Sequence, residues 1–284
     1  MFFKKRKTNY FILSIFFVTT SFIWLTIFSQ APDNILEVSF FDIGQGDAIF
    51  IETPNGRQVL IDGGPDKSVL EKLGQEMPVY DRTIDLIILT HPDADHITGL
   101  VEALKYYQIG HILTSGFEKE TIIYQKWRDL IEERNIPLTI AQTGQRIILQ
   151  EGIVLNILWP EANVTFKNAN NASVVGQLIY GQIEFLLTGD IEKEIEQRLL
   201  NQNLDLTSDV LKAPHHGSRT SSSQNFLDAV NPQIAVISVG LNNRYKHPHS
   251  AILERLKNYI IYRTDKDGDI QISTDGISLR VALD

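Results

Sequence analysis

The six residues His91-Pro92-Asp93-Ala94-Asp95-His96 place the tightest constraint on this chain. They follow Ile84-Asp85-Leu86-Ile87-Ile88-Leu89-Thr90, an apolar run that reads as a buried strand. Two imidazoles and two carboxylates therefore stand at a strand's C-terminal end, where open α/β sheets place their chemistry. In an extended segment His91 and Asp93 share one side, while Asp95 and His96, at a turn, point elsewhere. One short loop can then feed two neighbouring cations. The competing reading is an ordinary solvated loop, and four potential ligands directly after a buried strand weigh against it.

The surrounding pattern is strand-rich. Strands predicted over 36–41, 48–52 and 58–61, with turns at Gly44-Gln45-Gly46-Asp47 and Pro54-Asn55-Gly56, form an antiparallel meander. A helix over 68–77, the strand 84–90, and helices over 97–107 and 120–135 follow. The second half repeats the rhythm: strands over 136–141, 146–149, 154–159, 174–180 and 183–187, then a helix over 191–201. After it come a strand over 210–213, a helix over 224–230, a strand over 234–239, a helix over 251–257, and closing strands near Tyr259, Ile270 and Leu279. At 284 residues and 43% hydrophobic content the chain can bury one large core. Two packed mixed sheets with helices outside bury this many apolar strands most simply, in one domain over 35–284.

Residues 1–31 have a different character. Lys4-Lys5-Arg6-Lys7 precedes an uncharged apolar run from Tyr10 to Phe28, about the ~20 residues that cross a bilayer. The positive-inside rule keeps the basic cluster cytoplasmic and puts the domain outside. Ser29-Gln30-Ala31 also offers small residues for signal cleavage near Ala31, but the apolar run exceeds the ~7–15 residues of a signal-peptide core, which favours an uncleaved anchor. The expected location is extracytoplasmic, anchored by one helix or secreted after cleavage.

Cysteine is absent, so any metal is held by imidazole nitrogens and carboxylate oxygens. Beyond residue 34 there are 22 basic and 34 acidic side chains, a formal charge of −12. That is a poor electrostatic footprint for a nucleic-acid binder, although bound divalent cations offset part of it at the site.

Six of the seven histidines, His91, His96, His215, His216, His247 and His249, fall in loops after predicted strands. His111 precedes Ile112-Leu113 and reads as structural. Asp190, in Thr188-Gly189-Asp190, also follows an apolar strand. It is placed either to bridge two cations or to cap the helix over 191–201.

His91-Pro92-Asp93-Ala94-Asp95-His96, Thr188-Gly189-Asp190 and Pro214-His215-His216-Gly217-Ser218, in this order, resemble the metallo-β-lactamase superfamily of binuclear metallohydrolases. Asp42-Ile43-Gly44-Gln45-Gly46-Asp47-Ala48, Asp62-Gly63-Gly64 and Tyr245-Lys246-His247-Pro248 narrow the resemblance to the exported hydrolase domain of ComEC-type DNA-uptake proteins. The resemblance implies an α+β four-layer αββα sandwich with the site at the shared edge of the sheets. It implies two divalent metal ions: His91 and Asp93 match ligands of the first, Asp95 and His96 ligands of the second, and Asp190 the bridging aspartate. The last ligand is His215 or His216, and the other faces the substrate. Asp47 and Asp62 match aspartates that accept the distal N–H of ligating imidazoles; both also suit hairpin turns.

Two departures from the wider superfamily stand out. Asp93 occupies the place of a second histidine, and Asn170, Asn171 or Ser173 the place of another. Such an oxygen-rich site favours Mn²⁺ or Mg²⁺ over Zn²⁺. The implied activity is hydrolysis of phosphodiester bonds, with DNA as substrate, by water that the metals activate and that Asp95 and Asp190 orient. Ser218 and Ser221, before the helix over 224–230, offer a phosphate cradle or simply cap that helix. His247, His249 and Arg244 are placed to contact phosphate, with His247 able to protonate a leaving group. Other outcomes are hydrolysis of another envelope phosphoester, or a metal-binding interaction module without turnover. No multi-span channel is predicted, so a transport role does not carry over.

Overall fold

A computed structural model describes residues 2–29, 34–202 and 204–283. The chain divides into two compact units, Met1–Asn34 and Ile35–Asp284. The first is one helix, α1 (Phe2–Ser29). The span expected from Tyr10 to Phe28 falls on this helix, but the side chains at 2–9 and 25–29, and residues 30–33 with the cleavage position, lie outside the described ones. Among the described residues no helix is long and apolar enough to cross a membrane.

The second unit begins with the expected meander, β1 (Leu36–Phe40), β2 (Ile49–Glu52) and β3 (Gln58–Ile61). Helix α2 (Ser68–Glu76), β4 (Thr83–Leu89), α3 (Ala94–Tyr106), β5 (Gln108–Thr114), α4 (Ile122–Glu133) and β6 (Leu138–Ile140) follow. A second meander comprises β7 (Arg146–Gln150), β8 (Ile153–Trp159), β9 (Val175–Tyr180) and β10 (Ile183–Leu187). It leads into α5 (Lys193–Asn201), β11 (Val210–Lys212), α6 (Gln224–Val230), β12 (Ile234–Ile237), α7 (Ser250–Leu256) and β13 (Ile260–Arg263). After α8 (Thr264–Asp267), the strands β14 (Ile270–Thr274) and β15 (Leu279–Leu283) return to the first sheet beside β1.

One sheet runs β15-β14-β1-β2-β3-β4-β5-β6 and the other β13-β12-β11-β10-β9-β8-β7. In each, antiparallel strands give way to a parallel run, β3 to β6 and β10 to β13. Parallel strands need crossovers, and the helices supplying them cover the outer faces. Both faces of the central strands are consequently dry. Leu86 and Ile88 of β4 face the core between the sheets, and Ile87 and Leu89 face the layer under α2, α3 and α4. Val236 of β12 likewise faces the inter-sheet core, and Ala235 and Ile237 the layer under α5, α6 and α7. The result is the four-layer αββα arrangement.

Three local differences from the sequence pattern have physical causes. Helix α3 begins at Ala94, because the N–H groups of His96 and Ile97 already bond the Asp93 carbonyl at 2.9 and 3.0 Å. Asp95 and His96 are thus in its first turn. The strand β5 follows α3 after the single residue Tyr107 and contains Gly110, where a Cβ would lie 2.6 Å from the Asp85 carbonyl oxygen. Its close helix–strand junction hides it from periodicity. Helix α5 starts at Lys193 with Glu192 at its N-cap, so Asp190 does not cap it.

Gly99 shows how closely α3 approaches the loop after β3. A Cβ there would lie 1.8 Å from the Gly63 carbonyl oxygen, whereas one at Gly74 in α2 meets nothing within 4 Å. Gly99→Ala is expected to lower unfolding free energy by about 1–3 kcal/mol. Gly74→Ala is expected to raise it by roughly 0.4–1 kcal/mol, a reversal of sign that urea denaturation of the two variants checks.

Candidate metal centre

The C-terminal ends of β3, β4, β10, β11 and β12 meet at one end of the sandwich, and each delivers part of one cluster. Asp62 follows β3, His91 follows β4, Asp190 follows β10, His216 follows β11, and Ser238 follows β12. Asp95 and His96 come from the first turn of α3. Asp47 precedes β2, and its approach depends on Gly46, where a Cβ would lie 2.2 Å from the Asp95 carbonyl oxygen.

Three imidazoles are oriented alike. His96 Nδ1 lies 2.8 Å from Asp62 Oδ2, and His216 Nδ1 lies 2.9 Å from the Ser238 carbonyl oxygen. His91 Nδ1 lies 3.0 Å from Thr90 Oγ1, whose own proton goes to Asp62 Oδ2 at 2.6 Å. Each Nδ1 therefore donates, which leaves Nε2 as the lone-pair nitrogen of the neutral ring. All three Nε2 atoms are buried without a hydrogen-bond partner. Such orphaned polar atoms are costly in a dry interior, and a cation bound in place of any proton satisfies them.

The oxygen donors stand opposite. Asp190 Oδ2 is 3.4 Å from His96 Nε2 and 3.3 Å from His216 Nε2, close but not aligned as hydrogen bonds. Asp95 Oδ2 is 3.6 Å from His216 Nε2. Within the set, His91, His96 and Asp190 form one group whose donor atoms lie within 4.8 Å of one another, and Asp95, His96 and His216 form another. These nitrogen and carboxylate donors fit divalent cations.

His216, almost fully buried, is the histidine of the pair that joins the donors. His215 stays at the cleft wall, with Nε2 3.3 Å from Asn170 Nδ2. Both have left-handed φ values, 51° and 53°, which turn successive rings to opposite tasks. Asp93 lines the cleft, but its carboxylate accepts from Lys119 at 2.7 Å and joins none of the donor groups. Ser173, one of the three residues expected in the place of a missing histidine, supports His91 Nδ1 at 3.2 Å and accepts the Asp190 N–H at 3.0 Å.

Lys212 has no place among the residues singled out by pattern. It is fully buried at the end of β11, and its ammonium contacts Asp47 Oδ2, the Gly189 carbonyl at 2.9 Å and Asp190 Oδ1 at 3.4 Å. A single cation within the apolar stretch Val210-Leu211-Lys212-Ala213 is its one signal in the sequence. Burial would raise the pKa of Asp190, but the charges of His216, His96 and Lys212 hold it well below the carboxylate range. Asp95 is likewise lowered, as His216 and His96 outweigh its burial.

The expected phosphate cradle is already filled. The N–H groups of Ser222 and Ser223 bond the Glu196 carboxylate, the latter at 2.8 Å. Ser221, fully buried, donates to the Pro214 carbonyl at 2.9 Å, and Ser218 Oγ pairs with Thr220. A cleft of about 220 Å³ opens over the donors, walled by Gln45, Asn170, His215, Tyr245 and His247. Arg244 and His249 lie outside this lining: Arg244 bonds the Tyr245 hydroxyl on the surface, and the ring of His249 packs 5.0 Å from that of His247. His111 is structural, with Nε2 2.8 Å from Thr139 Oγ1.

Residues 41–240 match the model of the metallo-beta-lactamase superfamily, and the chain belongs to that superfamily. Its members are generally metal-dependent hydrolases that bind divalent cations, typically two. Within it, ComE operon protein 3 of Bacillus subtilis is 34% identical over 83% of this chain and 32% of its own length. Competence protein ComA of Neisseria gonorrhoeae is 31% identical over 84% of this chain and 32% of its own length. For Recombination protein 2 of Haemophilus influenzae the figures are 30%, 88% and 30%. The homologues are thus competence proteins of the ComEC type, and this chain spans about a third of their length. Among solved structures, YhfI of Bacillus subtilis superposes with a TM-score of 0.55 at 11% identity, covering 83% of this chain and 99% of YhfI. The metallo hydrolase Igni18 of Ignicoccus hospitalis gives 0.53 at 13% identity, covering 84% and 98%. Both share the fold.

Two measurements follow from this geometry. In the metal-free protein burial would depress His96 and His216, but Asp190, with Asp62 or Asp47, raises both well above the ordinary 6.5. A cation at either Nε2 must displace a proton, so affinity rises with pH up to those raised values and weakens as pH falls. Calorimetric titration with Mn²⁺ at pH 7 in buffers of different protonation enthalpy is expected to show net proton release; buffer-independent heats contradict it. Lys212→Met leaves Asp47 buried without its ammonium and is expected to cost about 3–5 kcal/mol of stability, read by urea unfolding in chelator.

Proposed function

We propose that this domain is an extracytoplasmic phosphodiesterase that cleaves DNA with divalent metal ions, Mn²⁺ or Mg²⁺ before Zn²⁺. The observation that carries the reading is the convergence of three partnerless Nε2 atoms on Asp95 and Asp190, which with His216 line an open cleft. The names of the competence and recombination relatives support DNA as the substrate. The basic cluster before the apolar helix supports the location and a membrane attachment.

When bound, the metal ions supply positive charge toward phosphoryl oxygens and a water of lowered pKa. His91, His96, His216, Asp95 and Asp190 would hold them. Asp190 and Asp95 stay ionised, so they can ligate and orient without first losing a proton. Lys212 fixes Asp190 Oδ1 from behind and leaves Oδ2 turned toward the imidazoles. His247, at the cleft mouth, has its pKa lowered to about 4 by burial and by His216, His215 and His249 around it. It is neutral at pH 7, a hydrogen-bonding contact for substrate in preference to a proton donor for the leaving group. Exposed Arg244 supplies positive charge near the same mouth.

The test incubates the protein with bis-p-nitrophenyl phosphate, single- and double-stranded DNA and RNA, with Mn²⁺, Mg²⁺, Zn²⁺ or chelator. Cleavage of DNA and the small diester with Mn²⁺ is expected, with turnover abolished by chelator and by Asp190→Ala. Cleavage of the small diester alone would replace DNA by another envelope phosphoester. Bound metal without any cleavage would make the domain a metal-binding interaction module.

A further inference from the structure

A second recess, of about 550 Å³, opens at the same end of the sandwich as the donor cluster. Its walls are residues 115–118 after β5, 140–142 after β6 and 160–166 after β8. The same loops continue into the metal cleft. Lys119, next to Glu118, holds Asp93 of the cleft wall at 2.7 Å, and Asn170, just beyond Phe166, lines the cleft itself.

The recess presents a rigid aromatic surface. The half-buried rings of Phe117 and Phe166 meet edge to face, 6.4 Å apart at 68°. Phe166 rests in turn on Trp159, at 6.0 Å and 77°, and Trp159 is fully buried with its indole N–H on the Asn171 carbonyl at 2.8 Å. Phe117 is therefore a partly exposed ring anchored through two contacts to the core, and it needs little ordering to receive a second flat ring. The side-chain amides of Gln142 and Asn163 on the rim have no partner among the described residues, so they offer donors and acceptors.

The charges select among ligands. No residue lining the recess is a cation. Glu118 meets Arg128 at 3.6 Å, Glu161 meets Arg198 at 4.0 Å, and neighbouring Lys119 is engaged by Asp93. Among the lining residues a phosphate would find carboxylates and no cation. A flat, uncharged heterocycle with hydrogen-bonding edges would find an aromatic face and free amides, in a space within the ordinary range of small-ligand pockets.

We infer that this recess is a nucleobase subsite, which seats a base flanking the scissile phosphate and so makes the unpaired strand the substrate. The inference rests on the phosphodiesterase reading and adds the form of the nucleic acid. In a duplex the base faces are stacked and the edges paired, so neither is available to Phe117 or to the amides. In a single strand both are free, and base–aromatic stacking tolerates any sequence.

The test uses the full chain in chelator, where no metal-dependent cleavage intervenes, and fluorescence anisotropy of a labelled oligothymidylate and of a hairpin duplex. The single strand is expected to bind at least about tenfold more tightly than the duplex, and Phe117→Ala to lose about tenfold of that affinity, with Phe117→Tyr retaining it. Circular dichroism melting verifies that the variants are folded. With Mn²⁺, the ratio of kcat/KM for the oligonucleotide to that for bis-p-nitrophenyl phosphate should fall about tenfold in Phe117→Ala. Equal affinity for duplex and single strand, no measurable binding, or wild-type affinity in folded Phe117→Ala overturns the subsite. Oligonucleotide binding that depends on Phe117 but is never followed by cleavage supports the subsite and overturns the phosphodiesterase reading alone.

Discussion

The buried contact of Lys212 with Asp47 and Asp190 is the interaction on which the centre depends. Asp47, Asp62 and Asp190 are all almost fully withdrawn from water, and an isolated carboxylate there would be costly. Lys212 stands behind Asp47 and Asp190, His96 stands against all three, and His216 against Asp47 and Asp190. These charges come from the ends of strands in both sheets and from the start of α3. The arrangement is tolerable only when the sandwich is closed, so folding and the construction of the site are one process.

Each imidazole is fixed from behind by a different chemical group: a carboxylate for His96, a backbone carbonyl for His216, and the hydroxyls of Thr90 and Ser173 for His91. The outcome is the same in all three, an Nδ1 engaged from behind and an Nε2 without a hydrogen-bond partner. Backbone strain is accepted to achieve it. The consecutive left-handed residues His215 and His216 each cost on the order of 1–3 kcal/mol. Ser238 and Asp47 hold His216 in place against that cost.

The loop before α6 illustrates a different economy. A helix start with unpaired N–H groups attracts anions, and in this protein the anion is internal. Glu196 of α5 binds the N–H groups of Ser222 and Ser223, tying α5 to α6 beside the loop that carries His215 and His216. The serines thus stabilise the loop, while Tyr245 and His247 line the cleft over the donors. Superfamily membership alone would not separate these roles, because the fold hosts varied chemistries and its sites differ in their loops.

Most of the fold and the donor set are legible in the order of residue types. The strand-then-loop rhythm predicts two mixed sheets, and alternating dry faces such as Leu86/Ile88 against Ile87/Leu89 show why continuous apolar runs mean parallel strands. Residue types also limit the donors: without cysteine, and with His and Asp gathered after strands, only a nitrogen and oxygen site is open to the chain. His215 and His216 remain equivalent at that level, because the direction a backbone turns at consecutive residues is not written in residue type. Asp93 reads as a ligand, and only packing of the loop after β5 brings Lys119 to that carboxylate. Lys212 is invisible as a partner because its two aspartates lie 165 and 22 residues away in the chain. Donor chemistry is a property of side chains and can be read in one dimension; tautomer, charge balance and which oxygen is free depend on distances that exist only once both sheets are packed.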